Sequence, residues 1–338
     1  MQNNSQRVPK KVWLETPLIE STVLSKMAGC RVFLKLENTQ PSGSFKSRGI
    51  GNFMVSYVHQ NGTDKSNIHF YISSGGNAGL ACVTAAVSLN CKASVVVPLS
   101  TDQDMISKIR EAGGTDIISY GETWFHADQY LRETVMAAAE SRGETAIYVP
   151  PFDNHLVWEG ASTMVDEISS QMEVQPDAIV CSVGGGGLFS GVMLGLDRNG
   201  WDEGHPTQVL AVETNGADSL AQSVDKGELV TLPAITSIAK SLGALTVAPN
   251  AFKQALRENV STVVVEDSEA CSACLQFADH HRHLVEPACG ASLALLYNGT
   301  LKNYVNDFGP GSRVVFIVCG GSTVSLEKLD GYRKTYGL

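Results

Sequence analysis

Short apolar runs alternate with stretches of helical periodicity along most of the chain. In the first half, four apolar runs are each followed by a segment whose apolar residues recur at helical spacing. This alternation is typical of βα units, in which parallel strands are covered by helices on both faces. The predicted strands are 31–36, 69–72, 93–97 and 116–118, and the helices that follow them are 49–58, 78–89, 102–112 and 124–141.

Two adjacent prolines, Pro150 and Pro151, interrupt this pattern and impose an extended segment at 148–153. We place a domain crossing there. The pattern then resumes, with predicted strands at 178–182, 209–212, 263–265 and 314–318 and helices at 156–172, 188–196, 269–281, 287–301 and after Ser322. We therefore expect an α/β protein with a large domain of 1–42 and 147–338 and a small domain of 43–146.

The composition and net charge limit the kinds of molecule that we expect this protein to bind. With 338 residues, 43% of them hydrophobic and 18% charged, the chain is an ordinary soluble protein with a full core. Its net charge of −10 disfavours nucleic acid and anionic membranes, and no apolar run approaches the length of a bilayer span. The polar stretch 1–14 lacks the apolar core of a secretion signal. We expect a cytoplasmic protein that acts on a small molecule.

Eight cysteines without regular spacing indicate buried thiols in a reducing compartment. One group has another interpretation, because Cys271 and Cys274 precede His280, His281 and His283 at distances in sequence that would suit zinc. We favour buried cysteines, since 269–281 has the pattern of a single amphipathic helix.

A loop around Lys46 is the first candidate for chemistry. Small residues surround this lysine in the stretch Pro41-Ser42-Gly43-Ser44-Phe45-Lys46-Ser47-Arg48-Gly49, which lies between a predicted strand and a predicted helix. Free N–H groups at the start of a helix favour an anion. The combination suits an amine nucleophile beside a phosphate. If this stretch is considered alone, the alternative is that Lys46 is an ordinary surface lysine.

Four consecutive glycines, Gly184 to Gly187, are the strongest local feature. Glycines cost chain entropy on folding, so four in a row are expected only where another group must come close to the backbone. We predict that this group is a phosphate, bound by the amides at the start of the next helix. A flexible linker is the alternative. A dinucleotide fingerprint fails, because Phe189 and Ser190 stand where its third glycine would be.

Together with two further turns, Ser73–Gly79 and Cys319–Ser322, these loops resemble those of the pyridoxal-phosphate enzymes of fold type II, the tryptophan-synthase-β type. The eukaryotic L-serine/L-threonine dehydratase family is the most similar. The resemblance extends to Thr16-Pro17-Leu18, Pro151-Phe152-Asp153, Trp158-Glu159-Gly160 and Val285-Glu286-Pro287-Ala288-Cys289-Gly290. It implies two lobes, each an open and mostly parallel sheet flanked by helices, and a homodimer.

The resemblance also assigns roles to residues. It implies that Lys46 forms the Schiff base with pyridoxal 5'-phosphate and then serves as general base. Phe45 would pack near the cofactor ring, Asn77 would bind its 3'-oxygen, and Cys319 would face the pyridine nitrogen. The predicted phosphate ligands are Gly184, Gly185, Gly186, Gly187 and Leu188. The predicted substrate-binding residues are Ser42, Ser74, Gly75, Gly76 and Asn77.

A monovalent cation, usually potassium, is implied as well. The residues that match its site are Gly184, Glu213, Ala217, Leu242 and Ala244. Oxygen ligands suit such a hard ion. Glu213 is equally well interpreted as a carboxylate at the start of a helix.

The implied reaction is the dehydration and deamination of L-serine, L-threonine or both, which gives pyruvate or 2-oxobutanoate and ammonia. Open alternatives are β-replacement of the cysteine-synthase kind, dehydration of another β-hydroxy amino acid, and a weakly active or regulatory relative that binds the cofactor. Gly75 stands where more active relatives carry alanine, so we expect Gly75→Ala to raise turnover. Ala161 and Thr323 also depart from the family pattern and leave substrate preference open.

Overall fold

The computed structural model describes residues 11–60 and 67–338. The chain divides into two compact units, the first made of the described residues of 11–14 and Lys46–Pro151 and the second of Glu15–Phe45 and Phe152–Leu338. The domain limits given above stay a prediction. The polar N-terminal stretch lies outside the described residues as far as residue 10.

The strands are β1 (Leu18–Glu20), β2 (Arg31–Lys35), β3 (Ile68–Ser73), β4 (Lys92–Val97), β5 (Asp116–Ser119), β6 (Thr145–Tyr148), β7 (Ala178–Ser182), β8 (Gln208–Thr214), β9 (Val260–Val265) and β10 (Arg313–Ile317). The helices are α1 (Thr22–Ala28), α2 (Lys46–Gln60), α3 (Asn77–Leu89), α4 (Gln103–Glu111), α5 (Trp124–Tyr130), α6 (Ala137–Ser141), α7 (His155–Gln171), α8 (Gly187–Asn199), α9 (Ser219–Lys226), α10 (Pro249–Ala255), α11 (Asp267–His281), α12 (Pro287–Tyr297) and α13 (Leu326–Tyr336). None of these helices has the length and apolar character needed to cross a bilayer.

The first unit contains a parallel sheet with strand order β5-β4-β3-β6. All six residues of β3 are buried, and so are the last five of β4. Strands buried on both faces read as continuous apolar runs, which is why the sequence pattern located them. The turns at the carboxyl ends of β3 and β4 lie side by side, since the two strands pair in register from His69 with Lys92 to Ser73 with Val96.

The second unit contains a sheet with strand order β1-β2-β10-β7-β8-β9. Its pairs are parallel except for β1, which runs antiparallel to β2 at the edge. The core of this unit is formed by the central strands, by α12, which is almost wholly buried, and by the buried face of α8. The parallel pairs bring the ends of β7, β8 and β10 to one edge of the sheet, where glycine turns leave β7 and β10.

Several predicted elements differ in their limits. The helix expected at 124–141 is interrupted by a π-helical stretch, Leu131–Met136, between α5 and α6. The helix expected at 287–301 ends at Tyr297, because Gly299 adopts a left-handed conformation with φ of 71°. The pattern did not predict β1, α1, β6, α9 or α10, which have three to eight residues each.

Helices α7 and α8 pack closely in the second unit because α8 has glycine where they touch. A Cβ at Gly191 would lie 2.4 Å from Cβ of Ala161, and one at Gly195 would lie 2.5 Å from Cβ of Val165. Since residues four apart share one helix face, the two glycines form a flat strip on α8. This strip holds α8, and with it the turn before α8, close to α7.

We expect Gly195→Ala to lower the free energy of unfolding by about 1–3 kcal/mol, because overpacking outweighs the better helix propensity of alanine. The control is Gly331→Ala in α13, where the residue is exposed and an added Cβ meets open space. That variant should gain up to about 1 kcal/mol. Urea denaturation measures both. Equal stability of the two variants would contradict the packing described here.

Candidate functional site

The turn between β3 and α3 is the candidate substrate loop in the first unit, residues 73–77. Gly76 caps α3 and its amide donates to Ser74 Oγ at 3.3 Å. The first amide that finds a helical acceptor is that of Leu80, which donates to the carbonyl of Gly76 at 3.2 Å. The amides of Ala78 and Gly79 precede this hydrogen bond at the N-terminus of α3, where backbone donors favour an anion such as a carboxylate.

Close contacts fix the shape of this substrate loop. A Cβ at Gly79 would lie 2.0 Å from the carbonyl oxygen of Ser74, so the chain can turn back only at a glycine. The indole Nε1 of Trp124 donates to the carbonyl of Ser73 at 2.8 Å. At Gly75, a Cβ would lie 2.4 Å from Cγ2 of Thr101. Sequence reasoning missed Thr101 and Trp124, because both reach the loop from other turns of the sheet.

Lys46 is the first residue of α2, as the sequence suggested, although that helix starts three residues earlier than the predicted limit at Gly49. Its Nζ donates to the carbonyl of Pro151 at 2.7 Å. Pro151 belongs to the extended proline segment, so this segment supplies a fixed acceptor for the lysine amine. The side chain is half-buried.

In the second unit, the stretch before Lys46 is joined to the turn that follows β10. The amide of Phe45 donates to the carbonyl of Cys319 at 3.1 Å, and Ser44 forms a β-bridge with Gly320. Ser322 Oγ donates to the carbonyl of Ser42 at 2.8 Å. The structure thus brings together Ser42, Phe45 and Cys319, three residues that sequence reasoning assigned to one site.

The four-glycine turn, Gly184 to Gly187, follows β7 and opens α8. Other parts of the protein approach these glycines closely, and the phosphate contact stays a prediction. A Cβ at Gly185 would lie 2.5 Å from the ring of Phe152, one at Gly186 2.4 Å from Cβ of Ala251, and one at Gly184 2.9 Å from Cα of Leu242. The first amide with a helical acceptor is that of Ser190, which donates to the carbonyl of Gly186 at 2.8 Å.

The donors around these turns suit a phosphate ester. The amides that open α8 lie ahead of the first helical hydrogen bond, and the helix dipole favours a negative charge there. The buried hydroxyls of Ser44 and Ser190 have no hydrogen-bond partner within residues 11–60 and 67–338. Buried hydroxyls without a partner are costly, so a bound group that accepts from them would stabilise the fold.

The thiol of Cys319 is held in its neutral form. Contact with the Cys289 thiol, followed by burial, raises the pKa of Cys319 well above its usual range. Ser182 Oγ lies 3.5 Å from the Cys319 sulfur and acts weakly in the opposite direction. A neutral thiol at this position offers a weak hydrogen bond but no negative charge.

Glu213 on β8 accepts hydrogen bonds from the amides of Leu220 at 3.0 Å and Ala221 at 2.8 Å, in the first turn of α9. This is the helix-start role that the sequence left open. Burial raises the pKa of Glu213 to about 8, although the two amide hydrogen bonds lower it.

Of the other predicted cation ligands, Gly184 lies against Leu242, whose carbonyl accepts from the amide of Ala244 at 2.8 Å. The cation site stays a prediction.

The alternative zinc group lies on and after α11. Cys271 and Cys274 are buried in this helix, which confirms the predicted helix with inward-facing cysteines. In the described part of the chain, no cluster of three or more His, Cys, Asp or Glu side chains is arranged to hold a metal ion.

Ala161 and Thr323, which depart from the family pattern, both lie in the second unit and both contact identified neighbours. Ala161 on α7 faces Gly191 of α8, so its small size is part of the packing of these helices. The hydroxyl of Thr323 donates to the carboxylate of Glu286.

The family described as pyridoxal-phosphate dependent enzyme matches residues 10–320. The chain belongs to this family. It is 43% identical over 329 residues to an L-serine dehydratase of Saccharomyces cerevisiae, covering 93% of this chain and 95% of that one. It is 42% identical over 328 residues to an L-serine dehydratase/L-threonine deaminase of Bos taurus, covering 96% of both.

Among solved structures, this pyridoxal-phosphate enzyme is similar to a fungal L-serine ammonia-lyase from Rhizomucor miehei, with a TM-score of 0.88 and 39% identity over 97% of this chain and 100% of that one. A threonine deaminase from Solanum lycopersicum has a TM-score of 0.82 and 27% identity, over 96% of this chain and 84% of that one. The predicted fold class, an α/β fold type II pyridoxal-phosphate enzyme with mostly parallel sheets flanked by helices, is confirmed.

We expect Glu213 to make the stability of the protein fall as pH rises. A carboxyl group whose pKa is raised by folding stabilises the fold below its unfolded pKa of 4.5, and this contribution is lost as pH rises through about 8. Urea denaturation of the wild type and of Glu213→Gln between these pH values measures the effect. The variant should show the smaller fall, because its amide does not ionise.

Glu228→Gln is the control, since it removes an exposed carboxyl group from the same unit. It should reproduce the pH dependence of the wild type. If Glu213→Gln follows the wild type at every pH, Glu213 is not the group that titrates.

Proposed function

We propose that this enzyme is an L-serine/L-threonine ammonia-lyase, which eliminates water from the amino acid, after which hydrolysis by one water gives pyruvate or 2-oxobutanoate and ammonia. The observation that carries the proposal is a pair of glycine turns whose backbone amides open α3 and α8, in a chain with a lysine at the start of α2. A substrate carboxylate and a cofactor phosphate both require such donors. The full-length similarity to L-serine dehydratases supports the choice of reaction.

Gly184, Gly185, Gly186, Gly187 and Leu188 would hold the phosphate of pyridoxal 5'-phosphate. Phe45 would pack near its ring and Asn77 would donate to its 3'-oxygen. The unsatisfied hydroxyls of Ser44 and Ser190 support this assignment. When bound, pyridoxal phosphate withdraws electrons from the substrate and so acidifies the proton on Cα.

Lys46 would attach to the cofactor aldehyde and, once released by the substrate amine, would take the proton from Cα. The carbonyl of Pro151 accepts a hydrogen bond from the lysine nitrogen and so fixes where that nitrogen stands. A fixed nitrogen favours proton transfer at one atom of the substrate.

The substrate carboxylate would be bound by Ser42, Ser74, Gly75, Gly76 and Asn77. The amides at the start of α3 hold an anion without a basic side chain. Cys319 would face the pyridine nitrogen of the cofactor. Because its thiol is neutral, it does not stabilise a protonated ring as a carboxylate would, and this favours elimination over transamination.

Potassium would bind among Gly184, Glu213, Ala217, Leu242 and Ala244. The buried carboxyl of Glu213 supports this, since a neighbouring cation favours its ionised form. We then expect potassium to weaken the fall of stability with pH that Glu213 causes, when potassium chloride is compared with tetramethylammonium chloride. No weakening at matched ionic strength would contradict the cation site.

We also propose a cytoplasmic homodimer. All eight cysteines are free thiols, seven of them buried, which supports a reducing compartment. The homodimer follows from the family resemblance, and sedimentation of the purified enzyme tests it.

The reaction is tested by incubating the enzyme with L-serine, L-threonine and hydroxyaspartate and following 2-oxo acid and ammonia. We expect equal amounts of both products, and Lys46→Ala should lower turnover by at least about 10²-fold because it removes the base. Lys302→Ala, which removes an exposed lysine, is the control and should retain turnover.

Absence of 2-oxo acid with all three substrates would contradict the proposal. Consumption of L-serine only when sulfide is present would indicate β-replacement instead.

A further inference from the structure

Thr101 lies against Gly75, the second residue after the end of β3. Thr101 ends a turn between β4 and α4, in which its amide donates to the carbonyl of Pro98 at 3.0 Å. From an ideal Cβ on Gly75, Cγ2 of Thr101 lies at 2.4 Å, Oγ1 at 2.8 Å and Cβ at 3.2 Å. Atoms that are not bonded to each other do not approach so closely, so the Thr101 side chain occupies the space that a side chain at position 75 would need.

Rotation of Thr101 does not release this space. Both heavy substituents on its Cβ face Gly75, and staggered rotamers only exchange Cγ2, Oγ1 and a hydrogen among three positions. Two of these positions face Gly75, so every rotamer leaves at least one heavy atom there. A serine at 101 has a single heavy substituent and one rotamer that points it away, whereas a valine has the same limitation as threonine.

The contact lies at the middle of the substrate loop. The carbonyl of Ser73 is fixed by Trp124, and that of Ser74 by the close approach of Gly79. At Gly76, by contrast, an added Cβ would meet open space. Thr101 therefore supports the middle of the loop from a neighbouring turn.

We propose that Thr101 is a positioning residue for substrate binding, because its side chain takes the place of the one that Gly75 lacks and sets where the loop amides stand. This inference rests on the proposed function, in which those amides bind the substrate carboxylate. Residue 101 then determines which side chains position 75 accepts.

A consequence concerns the expectation that Gly75→Ala raises turnover. The structure indicates that the added methyl group displaces the loop unless residue 101 is made smaller as well. Alanine at 75 should therefore support substrate binding only together with serine at 101.

The test is a set of variants of the holoenzyme, assayed for kcat and KM with L-serine and for the melting temperature. We expect Gly75→Ala to raise KM about tenfold, the effect of roughly 1.4 kcal/mol of lost binding, with a smaller change in kcat. Gly75→Ala with Thr101→Ser should return KM to within about threefold of the wild type. Gly75→Ala with Thr101→Val should keep the raised KM, which makes valine the matched control.

The proposal is overturned if serine and valine at 101 have the same effect, or if serine restores the melting temperature without restoring KM. A wild type that consumes neither L-serine nor L-threonine overturns the proposed function instead. In that case the melting temperatures still decide the steric pairing, since serine but not valine should reverse the loss caused by Gly75→Ala.

Discussion

The turns at the carboxyl ends of the strands depend on backbone that approaches its neighbours more closely than any side chain would allow. An added Cβ at Gly79 would lie 2.0 Å from the carbonyl of Ser74, and one at Gly320 would lie 2.4 Å from that of Gly43. At Gly185 it would lie 2.5 Å from the Phe152 ring. Each of these turns leads the chain off a buried parallel strand, and two of them open a helix, whose first amides have no acceptor within that helix. The anion binding that we propose therefore depends on positions that carry no side chain.

This constraint would let an acidic chain bind the two anions that the proposed function requires. The net charge of −10 would repel a phosphate or a carboxylate at long range, but the amides of α3 and α8 act at contact distance. Lys46 is then the basic group that the proposed reaction needs, and the Pro151 carbonyl holds its nitrogen.

The sequence pattern predicted the elements that are long or wholly buried. Strand β7 has its predicted limits, because all five of its residues are apolar or small and glycines follow it at once. Helix α12 was predicted too long, since it is apolar on every side and its end is marked only by the left-handed Gly299. Strand β1, with three residues, was not predicted because it is too short to show a period and depends on pairing with β2.

The residues of the candidate site also fall into two groups, those that a local sequence motif marks and those that reach the site from distant parts of the chain. Lys46 and the glycine turns are contiguous motifs, so the sequence alone marks them as candidates. Thr101 and Trp124 act through space from other turns, so no local pattern marks them. The four glycines were found, but the neighbours that require them, Phe152 among them, are distant in sequence and became apparent only in the structure.

The central claim is that Lys46 carries the cofactor, and chemical trapping tests it most directly. The purified enzyme is treated with borohydride, which fixes an imine between an amine and pyridoxal phosphate, and the digested peptides are analysed by mass spectrometry. The account predicts a phosphopyridoxyl group on Lys46 and less of that label when borohydride is added in the presence of saturating L-serine. A label on a different lysine, with Lys46 unmodified, would contradict it.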